Sequence, residues 1–134
     1  MTMRRNEARE LLMQLFFQME ARGEFTAEIR DLMFKEFADG SEQLPYMTRI
    51  SDAFLEHREE IDALIEDASD KWHINRMAKV DLAVLRVAVC EMKFSDSEIP
   101  VEVAINEAVN LAKKYGDDNS GKFVNGILGR VSKQ

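Results

Sequence analysis

Seven residues, Gly116-Asp117-Asp118-Asn119-Ser120-Gly121-Lys122, have the G-x-x-x-x-G-K spacing with which backbone N–H groups and a lysine cradle phosphates. Their neighbours oppose that chemistry. Phe123 stands where a hydroxyl must hold magnesium, a helical pattern precedes the motif instead of a strand, and Asp117 and Asp118 repel phosphate. Asp117, Asn119 and Gly121 also open like a calcium loop, but the sixth position is Lys122 instead of glycine and the twelfth is Leu128 instead of glutamate. His57, His73 and Cys90 lack metal-ligand spacing. No nucleophile is paired with a base in recognisable form. The sequence therefore offers no catalytic constellation, metal site or cofactor motif. What it does offer is cationic: Arg4, Arg5 and Arg9, opposed only by Glu7.

These residues must be carried by helices. Ala8, Leu11, Leu12, Leu15, Phe16 and Met19 follow the i, i+3, i+4, i+7 pattern. Met13 and Phe17 widen the apolar arc, so this helix is either buried on two sides or presents Phe17 to a partner. Gly23 closes it, and Thr26 can cap a second helix carrying Ile29, Leu32, Met33 and Phe37, which Asp39-Gly40-Ser41 ends. Pro45 opens a third element with Met47, Ile50 and Phe54, resumed at Ile61, Leu64, Ile65 and Ala68. The apolar face drifts across Glu56–Glu60, which predicts a break near His57.

Trp72–Arg76 is a short link to a helix over roughly Met77–Phe94. Lys79, Arg86 and Lys93 form one narrow polar strip there and apolar residues cover almost everything else, so this helix should be central and the most buried. Asp81 is the anomaly, because a buried carboxylate without a partner is costly. It is paired internally, solvated at a rim, or in contact with a partner protein.

Pro100 suits a first helical position, and Val101, Ala104, Ile105, Ala108, Leu111, Ala112 and Tyr115 form the stripe that follows. Gly116 is read as a left-handed stop, and Asn119 or Ser120 as the cap of a last helix whose stripe is Phe123, Val124, Ile127, Leu128 and Val131. Gly121, Gly126 and Gly129 in that helix each cost about 1 kcal/mol relative to alanine. Close approach of another backbone, the central helix above all, is the expected compensation. No stretch alternates with period two between turn signals. The architecture expected is all-α, about six or seven short helices in a single domain spanning residues 1–134.

Composition narrows the class further. An apolar content of 46% argues against disorder, and a lone cysteine cannot form an internal disulfide, which fits a reducing cytoplasm. The charged start, with Gln14 and Gln18 interrupting the first apolar segment, is not a signal-peptide pattern, and no run is long enough to span a membrane. The net charge of −7 resides entirely in residues 51–70, where eight acids face Arg58 alone. Elsewhere seventeen acidic residues balance seventeen basic ones, so basic patches for nucleic acid are free to exist.

Four segments together carry a resemblance: Arg4-Arg5-Asn6-Glu7-Ala8-Arg9-Glu10 with Gln14-Leu15-Phe16; Val80-Asp81-Leu82-Ala83-Val84-Leu85-Arg86 with Glu91; Ile99-Pro100-Val101-Glu102-Val103-Ala104-Ile105-Asn106-Glu107-Ala108; and Ser120-Gly121-Lys122-Phe123-Val124-Asn125-Gly126-Ile127-Leu128. They are similar to the NusB family of bacterial transcription antitermination factors. The resemblance implies two packed, roughly perpendicular helical bundles and a role without catalysis or cofactor. It implies binding of boxA-type single-stranded RNA together with NusE, a small-subunit ribosomal protein. It also implies membership of the RNA polymerase antitermination complex that acts on ribosomal RNA operons.

Arg4, Arg5 and Arg9 match the family's arginine-rich start and are the first RNA candidates, since arginines contact phosphates and stack on unpaired bases. Asn119, Lys122 and Phe123 at the corner after Gly116 would add a base-reading amide, a cation and a stacking ring; the competing reading puts Phe123 in the core and Lys122 in solvent. Phe17 and Asp81 fall where the family meets its ribosomal-protein partner. Asn6 and Glu7 interrupt a region more continuously basic in relatives, which implies weak RNA affinity without NusE. The alternative is an RNA-docking module like the helical domain of RNA cytosine methyltransferases, although no glycine-rich cofactor loop follows before Gln134. The wide apolar arcs and eight methionines would also suit a homodimer.

Overall fold

A computed structural model describes residues 2–70, 72–96 and 98–134. Six α-helices and one short 3-10 turn make up its regular structure, and the described residues contain no strand. Helix α1 (Arg5–Arg22) begins where Glu7 reaches back to accept the Arg4 backbone N–H at 3.0 Å. It ends on Gly23 at φ 67°, a left-handed stop that lets the Glu24 N–H donate to the Met19 carbonyl at 3.1 Å. Helix α2 (Ala27–Phe37) is capped by the Thr26 hydroxyl, which accepts from the Ile29 N–H at 3.3 Å. Only Phe34 of α2 is buried, while Leu32 and Phe37 face outward.

Helix α3 (Leu44–Ala68) bends where the sequence loses its stripe: His57 has φ −114° and ψ 22°, so two helical runs meet there at a kink. The 3-10 turn Ile74–Arg76 leads into α4 (Lys79–Lys93). Helix α5 (Val101–Tyr115) starts one residue after Pro100, whose carbonyl accepts from the Val103 and Ala104 N–H groups. Helix α6 (Ser120–Val131) completes the chain.

Helix α4 is buried without interruption from Asp81 to Glu91, as expected of a helix apolar nearly all round. It packs against α1 and α3 and also against α5 and α6, so two bundles meet along it. The stacked rings of Phe16 and Phe54, with centroids 4.1 Å apart, fill the first bundle.

The expected polar strip on α4 is not solvated in its middle. Arg86 is buried, with Nε and Nη2 donating to Asp62 at 2.9 and 2.8 Å and Nη1 to Glu20 at 2.6 Å. Seven-residue spacing put Arg86 in line with Lys79 and Lys93, but α1 and α3 close over it and supply its carboxylates.

The glycines of the last corner also depart from expectation. Gly116 is extended, at φ −94° and ψ −164°, not left-handed. A Cβ there would lie 2.6 Å from the Ser120 Cβ and 2.7 Å from the Ala112 carbonyl oxygen, so glycine is needed for a tight approach of α6 to the end of α5. Gly121 abuts the Lys113 side chain, whereas added Cβ atoms at Gly126 and Gly129 would meet nothing within 4 Å. Close packing thus accounts for Gly121 alone among the three helical glycines, and against a side chain, not the α4 backbone. Asn119 holds the cap position but its side chain makes no cap bond; Asp117 Oδ1 instead accepts from the Asn119 N–H at 2.8 Å.

Candidate nucleic-acid interface

Helix α1 carries the three arginines into three different environments. Arg4 is exposed and its Nε lies 3.3 Å from Glu7. Arg5 is exposed, donates from Nε to Gln43 Oε1 at 2.8 Å and lies over the Tyr46 ring at 3.9 Å. Arg9 is 5% exposed and its fork is spent inside the fold. Its Nε and Nη2 donate to the buried Glu91 carboxylate at 2.9–3.1 Å, and Nη1 donates to Asn6 at 3.0 Å. The expectation that Arg9 faces RNA is corrected by this geometry. One turn further along α1 than Arg5, it points at α4 instead of solvent, and the Glu91 charge there requires a cation.

The corner presents Asn119 and Lys122 to solvent, with Phe123 half-buried. Phe123 packs against the core while remaining partly exposed. Beside it lies Trp72, 54% exposed, its ring centroid 5.8 Å from that of Phe123. These two rings, with Lys122, Gly126, Ile127 and Arg130, line a shallow cavity of about 370 Å³. Arg130 is held to the end of α3 by a 2.6 Å bond from Nη1 to the Ala68 carbonyl. Trp72 escaped the sequence reading because the link it sits in has no periodicity. Its signal was a large aromatic within a polar linker, which only a neighbour such as Phe123 makes meaningful.

The arginine end and the corner lie at opposite ends of α4. Arg9 binds Glu91 near its C-terminus, whereas Ser120 and Asp117 flank Asp81 near its N-terminus. Ten residues of helix separate the two by roughly 15 Å.

Asp81 is 7% exposed, and its Oδ1 is buried without a hydrogen-bond partner among the described residues. No described cation pairs with it, so an internal ion pair does not hold this carboxylate among the described residues. Desolvation pushes its carboxyl above the ordinary aspartate range; the nearby Ser120 hydroxyl opposes this and Asp117 adds to it. Its neighbour Val80 lines an apolar groove of about 490 Å³ together with Met13, Phe17, Met33, Phe37 and Tyr115. Phe17, 36% exposed, lines this groove, and Asp81 follows Val80 in the chain but is itself buried.

Another cavity, about 800 Å³ between α3 and the end of α4, mixes Arg49 and Lys93 with Asp52, Glu56 and Asp96. That balance suits no phosphate chain. Burial pushes the Cys90 thiol far up, which leaves it inert.

Together these features define an all-helical module with exposed cations at both ends of α4, an apolar groove beside Val80, and a buried acid at the corner end. The chain belongs to the NusB family, whose model matches residues 6–133. It is 46% identical over 132 residues to the transcription antitermination protein NusB of Agathobacter rectalis, a match covering 97% of this chain and all of that protein. Its fold matches that of T. maritima NusB with a TM-score of 0.87 at 35% identity, over the whole chain and 94% of that structure. It also matches a chain in a crystal structure of the antitermination factors NusB and NusE in complex with dsRNA, with a TM-score of 0.85 at 31% identity and 96% coverage of each chain.

Proposed function

We propose that this protein is a cytoplasmic, non-enzymatic transcription antitermination factor that binds boxA-type single-stranded RNA jointly with NusE and so joins the RNA polymerase complex on ribosomal RNA operons. Residues 1–134 act as one domain in this role. The observation that carries the RNA reading is the pairing of exposed Trp72 with half-buried Phe123 beside Lys122 and Arg130. Stacking rings with flanking cations are what unpaired bases and their phosphates require. Asn119 adds an exposed amide at the same corner, and Arg4 and Arg5 a second cationic contact near the other end of α4. Arg9 supports that end from beneath. The Phe17 groove with Asp81 beside it is the NusE-facing surface, where a cation from the partner satisfies Asp81.

The test is a titration of fluorescein-labelled boxA-type RNA into the protein, with and without NusE. Binding should weaken with salt and tighten when NusE is present. Phe123→Ala should lower affinity about tenfold, in line with roughly 1–3 kcal/mol per stacked base. Equal affinity with and without NusE, or preference for a duplex of the same sequence, would sink the reading.

A further inference from the structure

We infer that Gln43 and Tyr46, at the start of α3, are positioning residues that hold Arg5 as a pre-set, fully charged phosphate fork. The inference rests on the RNA reading above and assigns a role within it to two residues outside every motif of the sequence.

The arrangement is a stack built from the core outward. The buried Glu91 carboxylate fixes Arg9 with three bonds of 2.9–3.1 Å. The Arg9 guanidinium carbon lies 5.9 Å from the centre of the Tyr46 ring, which is itself only 2% exposed. The Arg5 guanidinium lies on that ring at 3.9 Å. A ring held by the core is a rigid platform, and a guanidinium on it is restrained in the plane of its fork. Gln43 then takes Nε at 2.8 Å. Among the described residues nothing accepts from either Nη of Arg5, so the two terminal nitrogens remain for a bidentate phosphate contact.

Charge separates Arg5 from its neighbours. The Nε of Arg4 is met by the Glu7 carboxylate, and Arg9 is neutralised by Glu91. Arg5 is held by a neutral amide, which orients it and leaves its charge unspent. An arginine ordered before binding gives up less side-chain entropy when the phosphate arrives. Glu91 also cancels the charge of Arg9, which would otherwise repel Arg5 through the ring.

The experiment measures affinity of the complex with NusE for labelled boxA-type RNA across a salt series. Arg5→Ala should lower affinity several-fold and flatten the slope of log affinity against log salt by about 0.7, the loss of one phosphate contact on a single strand. Gln43→Glu places a carboxylate on Nε and should reproduce that loss with the melting temperature unchanged, whereas Gln43→Ala should cost less. Tyr46→Phe keeps the ring and should bind as the parent does; Tyr46→Leu should weaken binding, and add nothing once Arg5 is alanine. Because Gln43 lies at the surface end of α3, its variants carry the test even where Tyr46→Leu unfolds. Parent-like binding and slope in Gln43→Glu, or fully additive losses in Arg5→Ala/Gln43→Ala, would overturn the positioning role. If Arg5→Ala binds as the parent while Phe123→Ala does not, the RNA reading stands and this inference falls; absence of RNA binding by the parent complex overturns both.

Discussion

Arg5 and Arg9 are the same residue type one helical turn apart, yet one is a solvent-facing cation and the other half of an internal ion pair. Residue-level chemistry on this chain is set by what the neighbouring helix presents. Glu91→Ala should therefore be severe, costing about 3–5 kcal/mol in urea-unfolding free energy, because it strands the Arg9 charge in the interior. Asp81 is the reverse case, a buried acid with no cation beside it among the described residues. As pH rises past the ordinary aspartate range, the unfolded carboxyl ionises first and the folded one later, so the wild type loses stability across that window. Asp81→Asn should then be the more stable protein at neutral pH. Its advantage should shrink as pH falls through the raised pKa of Asp81, a trend readable from paired thermal melts across pH. If the advantage instead grows on acidification, Asp81 is stabilised as the anion and the unpaired assignment is wrong. The same substitution should weaken NusE binding.

At the scale of elements, α6 contains its own experiment. Gly121 is crowded by Lys113, whereas Gly129 has open space where a Cβ would stand and sits within regular helix. Gly129→Ala should raise stability by about 0.5–1 kcal/mol through the lower entropy of the unfolded chain. Gly116→Ala, by contrast, must push Ser120 off the end of α5 and should destabilise. Calorimetry of the two variants separates a glycine required by close approach from one that is not. Helix periodicity was legible for every long element, and the drift at Glu56–Glu60 marked the kink now seen at His57. The backbone state of Gly116 was not legible, since glycine is permitted in both left-handed and extended conformations and the choice lay with Ser120.

Across the whole molecule, α4 places each surface: its C-terminal end anchors the arginines through Glu91, and its N-terminal end brings Asp81 to the corner before α6 and Val80 to the Phe17 groove. The sequence by itself determined the all-helical class, the helix stripes, the central place of α4 and the family, because each is written in local periodicity or contiguous motifs. Tertiary structure alone decided which cations are free. It buried Arg9 and Arg86, left Arg5 on Tyr46, and brought Trp72 from an unpatterned link to Phe123, fifty-one positions later in the chain. The reason is physical: a charged or aromatic side chain takes its role from the dielectric and the partners around it, and those come from helices distant in sequence.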